Sequence, residues 1–463
     1  MSKEQVNNPF LVILGVLVIN FLGLFSETAL NIALPQIGES FHVSSGQTQW
    51  LILGYTMVIG IVLPMTTLIS RWVSAKSILT FASVVFIMGA IIAAFAPNMT
   101  LLLIGRTIQG VSTGLFMPLL FSITLLVYKK NKIGTAMGII AVVMNFAPAI
   151  GPSLAGVIIN YLSWRWIFII FVPISIVSLI LIIRTVPNVI KQTKPKVDTI
   201  SVIFSITGFG FLITSVGMFS NFGFEKISLY LLLIVSIIFV YIYVRRQLKL
   251  RNPILNFKIF KYRKYAISAI IVSLNFATVM AAMYIMPQML QSGLKFSTIT
   301  AGVILLPAGL VNAFVSMFSG HLYDSFGAKR LVRIGALITL IGAIMLLKIT
   351  AESSLVYVII TDILLMGGSG LLLSPAQSYG LGALSGADSN DGSTIMNTFQ
   401  QILGALSVSI ATTFLIVGSN MSDSNVKWLK YMDGAHFSFV WVVILAVLLV
   451  FFCFKIEQED MSS

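Results

Sequence analysis

Glu27, Arg106 and Asp362 are the charged residues that fall well inside the long apolar stretches of this 463-residue chain. A charged side chain at the centre of a membrane-spanning helix costs about 2.5–3.5 kcal/mol on insertion scales, so each is expected to have a partner or a task. Desolvation favours the neutral form of a carboxyl group, and a nearby cation favours the carboxylate. Two acids and a guanidinium in one space therefore form a proton-coupling set; the alternative is a static ion pair that fixes helix packing. At about 1.5 Å of rise per residue, Arg106 and Asp362 lie roughly 10–12 Å below the outer ends of their helices, and Glu27 sits at a similar level. All three are placed to face one cavity.

Other polar residues inside apolar runs are candidates for lining that cavity: Asn31, Tyr55, Gln109, Asn145, Asn275, Tyr284, Gln288, Asn397, Gln400 and Gln401. Asn397 and Gln401 are one turn apart and share a helix face. The 20 Met and 33 Phe supply soft, adaptable apolar surface, though most must face lipid or other helices. No catalytic constellation is visible. GVSTG (110–114) has the spacing of a nucleophile elbow, but Ser112 lies inside an apolar helix and His42, His321 and His436 are scattered. A packing role is expected for it. There is no phosphate-binding loop for direct ATP drive and no His, Cys and carboxylate cluster with metal-ligand spacing. The expectation is a non-enzyme without metal or cofactor.

The elements that must position these residues follow from composition. The chain is 57% hydrophobic and 10% charged, with a mean hydropathy of +0.99, which places it in a membrane. Its apolar segments are roughly 20 residues long, as helices need, and lack the alternation of barrel strands. Fourteen spans are expected, near 10–34, 48–70, 77–97, 99–127, 134–160, 163–185, 199–220, 227–244, 265–290, 298–320, 331–350, 354–378, 393–418 and 436–455. The first is too long for a cleaved signal, and no A-x-A site follows it. With the N-terminus inside, 22 of the 29 Lys and Arg fall in inner segments and six in outer ones, with Arg106 inside a span. This asymmetry predicts that both termini are cytoplasmic, and it turns the net charge of +14 away from nucleic acid. The longest basic stretch, 245–264, reads as an interfacial amphipathic helix against anionic headgroups. The single cysteine, Cys453, leaves no internal disulfide.

The chain also repeats itself. VSAK (73–76) aligns with FGAK (326–329), and QGVSTGLFMP (109–118) echoes GGSGLLLSP (367–375). Spans 1–6 and 9–14 then form two copies of a six-helix unit, a transporter architecture. The expected fold is an all-α polytopic membrane protein of 14 transmembrane helices. Residues 1–190 form one six-helix bundle, 191–264 an inserted helix pair with a basic segment, and 265–463 the second bundle.

Several motifs in order resemble the major facilitator superfamily, in particular its fourteen-span drug:proton antiporter branch. GHLYDSFGAKR (320–330) is similar to the family's inner-loop motif, GRTIQGVSTG (105–114) to its span-4 motif, and APAIGPSLAG (147–156) to its span-5 antiporter motif. ETALNIALPQI (27–37) and WRWIFIIFVP (164–173) resemble the first-span motif and the span-6 entry. Arg71 stands in the first copy of the inner-loop motif where Asp324 stands in the second, which is similar to lincomycin-resistance-type members. The first-span acid comes one position later than the family pattern, with Ser26 in its place.

The resemblance implies a proton-coupled secondary transporter exporting amphipathic drugs or toxic compounds by alternating access, with an exporter of lipids or fatty acids as the alternative. It implies a bacterial, multi-pass plasma-membrane monomer whose partners are small amphipathic substrates, protons and membrane lipids. It gives gating roles to Gly151 and Pro152, in the two small-residue stripes of span 5 that permit close helix approach. Asp324, Lys329 and Arg330 would lock one half's helices together and release them on rocking; for the two cations alone, topology retention is the other reading.

Overall fold

Lipid offers the backbone no hydrogen-bond partners, so apolar runs of this length must satisfy their own N–H and C=O groups by coiling into helices. A computed structural model describes residues 8–70, 72–128, 133–187, 198–222, 226–250, 253–384 and 387–457. Its helices are α1 (Pro9–Phe41), the single turn α2 (Ser45–Thr48), α3 (Trp50–Ile69), α4 (Ala75–Ala94), α5 (Met99–Val127), α6 (Ile133–Tyr161) and α7 (Arg165–Thr185). They continue with α8 (Thr199–Phe222), α9 (Ile227–Lys249), α10 (Arg263–Gln288), α11 (Thr298–Leu346), α12 (Leu355–Leu381), α13 (Ala387–Met421) and α14 (Lys427–Cys453). Among the described residues there is no strand.

Twelve of these segments are long and apolar enough to cross a membrane by length and composition. Two further helical segments stand where the other two of the fourteen spans are expected. One is α6, whose Phe146–Tyr161 part is a shorter apolar helix. The other is the second arm of α11, which breaks at Gly327 with φ 70° and ψ 164°. That left-handed backbone suits glycine, which has no Cβ to clash. The expected loop between spans 10 and 11 is thus a one-residue break rather than a loop. The basic stretch 245–264 also differs from expectation. It is not one amphipathic helix but the end of α9, a 3-10 turn at Phe257–Lys261 and the start of α10.

Short connections are closed by side-chain caps. Asn98 Oδ1 accepts from Leu101 N at 2.9 Å before α5, and Ser354 Oγ accepts from Tyr357 N at 3.2 Å before α12. An even number of crossings puts the start of α1 and the end of α14 at one end of the bundle, here called the terminal end, with the distal end opposite.

Helices α4 and α5 pack closely, as do α11 and α12, and each pair rests on glycine against backbone. A Cβ on Gly105 would lie 2.8 Å from Gly89 O, and one on Gly368 would lie 2.6 Å from Gly335 O. Contacts between the first and last groups of helices run through α6 on α11, α3 on α13 and α1 on α10. Helix α8 lies against both α3 and α13, with α9 on its outer side. The α8–α9 hairpin is fastened at the terminal end, where Arg246 forks onto Asp198 (Nε–Oδ2 2.6 Å, Nη2–Oδ1 2.7 Å). That guanidinium, with help from Ser201, holds the Asp198 carboxyl down at about 2.

Candidate functional site

A cavity of about 520 Å³ lies between the two groups of helices, lined from α1, α5, α6, α10, α11, α12 and α13. Leu381 at the last residue of α12 and Ser393 near the start of α13 line it, so it reaches toward the terminal end. Glu27 from α1 and Asp362 from α12 both line it, each only 3% exposed. The lining residues include no Lys, Arg or His. Glu27 Oε1 has no hydrogen-bond partner, and neither acid forms an ion pair among the described residues.

Arg106 does not line the cavity. It is fully buried one layer behind, where its Nη1 donates to Ser26 Oγ at 2.6 Å and to Gln109 Oε1 at 3.1 Å. Nη2 donates to Ser26 O and Nε to Leu51 O, both at 3.4 Å, and the guanidinium stacks 3.9 Å from the centre of the Tyr55 ring. Tyr55 in turn donates to Gly23 O at 2.9 Å and shares a 2.8 Å bond with Thr113 Oγ1. The guanidinium therefore holds Ser26, the residue preceding Glu27. Ser26 receives the arginine, and Glu27 faces the cavity.

Of the other polar candidates, Asn275, Asn397, Gln400 and Gln401 line the cavity. Asn31, Tyr55, Gln109, Tyr284 and Gln288 do not; they are buried between helices. Gln288 Nε2 donates to Tyr284 O at 2.8 Å, and Gln288 Oε1 accepts from Tyr431 at 3.3 Å. The side chains of Asn145 and Asp324 lie outside the described residues. The lining also holds Thr28, Asn312, Ser369, Gln377 and Ser393, absent from the expected set. Asn312 and Gln377 carried the same signal as the rest, an amide inside an apolar helix. The hydroxyls carried none, because Ser and Thr can bond their own helix backbone anywhere.

The span-5 motif forms two seams on α6. On one side, a Cβ on Gly151 would lie 2.2 Å from Thr28 Oγ1, and Thr28 Oγ1 donates to Pro148 O at 3.2 Å, closing α6 on α1. On the other, a Cβ on Gly302 would lie 3.0 Å from Pro152 O and one on Gly309 2.6 Å from Ala149 O, closing α6 on α11. Ser153 Oγ donates to Gly302 O across this second seam at 2.7 Å. Lys329 and Arg330 begin the second arm of α11, Arg330 exposed. Ser112 is fully buried and donates to Ala82 O at 2.6 Å, a helix–helix contact.

The distal end is shut by bonds between the two groups. Gln291, in a π turn (Met289–Gly293) after α10, donates to Ile32 O at 3.0 Å, and Tyr284 OH donates to Ser45 O at 3.5 Å.

A sequence profile described as Major Facilitator Superfamily matches residues 16–408. The chain is 36% identical over 410 residues to the lincomycin resistance protein LmrB of Listeria monocytogenes, across 89% of this chain and 87% of that protein. It is 34% identical over 450 residues to LmrB of Bacillus subtilis, across 94% and 93%. Among solved structures, the xylose transporter XylE of E. coli, in a partially occluded inward open conformation, matches with a TM-score of 0.65 over 99% of both chains. Its 14% sequence identity makes this a likeness of fold.

Proposed function

The chain belongs to the major facilitator superfamily, and from that premise we propose that it exports amphipathic, cationic or zwitterionic compounds in exchange for protons by alternating access. It is a membrane transporter, and relatives named for lincomycin resistance favour drug efflux. The observation that carries the reading is the placement of Glu27 and Asp362 in one cavity whose lining has no basic side chain. A cation entering there meets negative charge, and a proton on either carboxylate removes that charge. The two compete for the same oxygens, which is the condition for exchange. At an effective dielectric constant of about 20, opposite unit charges at 4 Å attract by about 4 kcal/mol, enough to decide the competition.

Arg106 positions the Ser26–Glu27 stretch from behind. Met117, Met144, Met280, Met283, Met286, Met366 and Met396 give the lining a soft apolar surface that accepts different shapes. Residues 1–190 and 265–463 rock as two halves about the α6–α11 and α3–α13 seams, with 191–264 as an insert. The terminal end is cytoplasmic and the membrane is the plasma membrane, which the asymmetry of Lys and Arg supports. The proton gradient supplies the drive without a cofactor, and the chain works as a monomer.

Proteoliposomes carrying a pH dye test this against a panel of lipophilic cations, detergents and fatty acids. Cations should move protons and accumulate against their gradient. Proton movement with fatty acids alone would transfer the reading to lipid export, and none with any compound would refute antiport.

A further inference from the structure

The chain leaves the membrane after α9 and re-enters with α10, so the 3-10 turn Phe257–Lys261 is held at the membrane surface on the terminal end. Its two sides differ. Phe257 and Ile259 are buried, whereas Lys258, Lys261, Arg263 and Lys264 are exposed. Arg263 meets Glu457 at 3.1 Å, but Lys258, Lys261 and Lys264 have no carboxylate within 4.0 Å among the described residues. The buried side is fastened to α13. Asn256 Nδ2 donates to Asp388 Oδ1 at 3.0 Å, and Tyr265 OH donates to Gly392 O at 2.9 Å. The rings of Phe257 and Phe260 lie 6.4 and 5.8 Å from that of Phe399, which sits between the cavity residues Asn397 and Gln400.

We propose that this turn is a docking surface for the acidic phospholipid headgroups of the surrounding membrane, and that lipid charge there sets the position of α13 at the cavity mouth. Cations that only keep a loop on one side of the membrane need no particular mounting. Here Lys258 and Lys261 of the turn and Lys264 at the start of α10 are exposed with no carboxylate partner among the described residues. Lys261 and Lys264 lie only 5.0 and 5.5 Å from the rings of Tyr262 and Tyr379, and the same short segment is bonded and ring-packed to a cavity-lining helix. A phosphate layer pulling on the lysines pulls on α13. Each such cation strengthens attraction to an anionic surface by about fivefold, and added salt weakens it as the Debye length falls from about 10 Å at 0.1 M to about 3 Å at 1 M.

The test uses the full chain in nanodiscs of phosphatidylcholine, with or without about one quarter phosphatidylglycerol, and needs no transported compound, so it stands apart from the antiport reading. Retained lipid is counted by native mass spectrometry. The alkylation rate of Ser393→Cys, in a Cys453→Ser background, reports access at the cavity mouth. Phosphatidylglycerol should be retained in preference and should change the alkylation rate severalfold. Both effects should be lost in Lys258→Gln/Lys261→Gln/Lys264→Gln, and in the unmutated turn at about 1 M salt, a control that holds should the triple variant fold poorly. Equal retention of the two lipids, retention without a change in alkylation, or an undiminished lipid response in the triple variant would each overturn the proposal. So would inositol hexakisphosphate reproducing the effect in phosphatidylcholine discs, because the ligand would then be a soluble polyanion.

Discussion

Ser26 and Glu27 are neighbours on α1 with opposite surroundings, one bonded to Arg106 and the other lining the cavity. Glu27→Gln keeps the size of the side chain but cannot ionise. Uphill export driven by a pH gradient should stop, and cation binding should weaken by about 1.5–3 kcal/mol, the worth of a charge-assisted hydrogen bond. The pH dependence of binding should flatten while the fold persists. Gradient-driven uptake in proteoliposomes checks this; a wild-type rate would pass the role to Asp362. Arg106→Lys should be damaging despite keeping the charge. A single ammonium cannot hold Ser26, Gln109 and Leu51 together while stacking on Tyr55, so thermal stability should drop by about 1–3 kcal/mol. An unchanged melting temperature would show the network to be dispensable. The two acids were legible because a charge in an apolar run stands out. The facing of the amides was not: Asn275 and Gln401 line the cavity, while Gln109 and Gln288 are taken up between helices. Sequence spacing gives depth along a helix, but α1 and α10 are apolar nearly all round, so no polar face marks the cavity side.

Most of the long helices were legible from their apolar runs, and packing was legible where small residues recur, as in the span-5 stripes; the single turn α2, with no apolar residue, and the merging of spans 10 and 11 into α11 were not. Gly151→Leu tests one of them. The Cβ alone would meet Thr28 Oγ1 at 2.2 Å, so the variant forces α6 off α1. Overpacking of this kind costs about 1–3 kcal/mol or more, and transport should fall with the melting temperature. Normal coupling and stability together would mean that α6 can move aside without consequence. The π turn after α10 left no trace in the sequence, because it differs from an α-helix only in which carbonyl each N–H selects. Gln291→Leu removes the bond from that turn to Ile32 O and should raise the alkylation rate of a distal-end cysteine about 2- to 12-fold, as loss of about 0.5–1.5 kcal/mol implies. No change would assign the distal closure to packing alone.

At the scale of the molecule, the sequence repeat set α4–α5 against α11–α12, and both pairs close on glycine; spans 7 and 8, which nothing repeats, read from the sequence as an insertion. What fastens that insertion was invisible, since Asp198 and Arg246 lie far apart in sequence and meet only when α8 and α9 pair. The Asp198 carboxyl is lowered from 3.8 to about 2, so its contribution is complete above 3.8 and fades only as pH falls toward 2. Asp198→Asn should therefore lower thermal stability by the same amount at every pH between about 5 and 8; a difference that varies across that window would point to another titrating group. The distal closure has a consequence of its own. Gln291 to Ile32 O and Ser153 to Gly302 O are bonds between uncharged groups, each worth about 0.5–1.5 kcal/mol, whereas Tyr284 OH lies 3.5 Å from Ser45 O, too far to add much. On their own these two bonds favour this conformer by about five- to 160-fold, before bonds made only in the other conformer are counted, and a ligand reverses such a bias only by preferring the other conformer to the same degree. Affinity alone will therefore not rank the compounds this protein moves. A molecule held equally by both conformers shifts nothing, however tightly it binds, whereas one held by a single conformer arrests the exchange and behaves as an inhibitor.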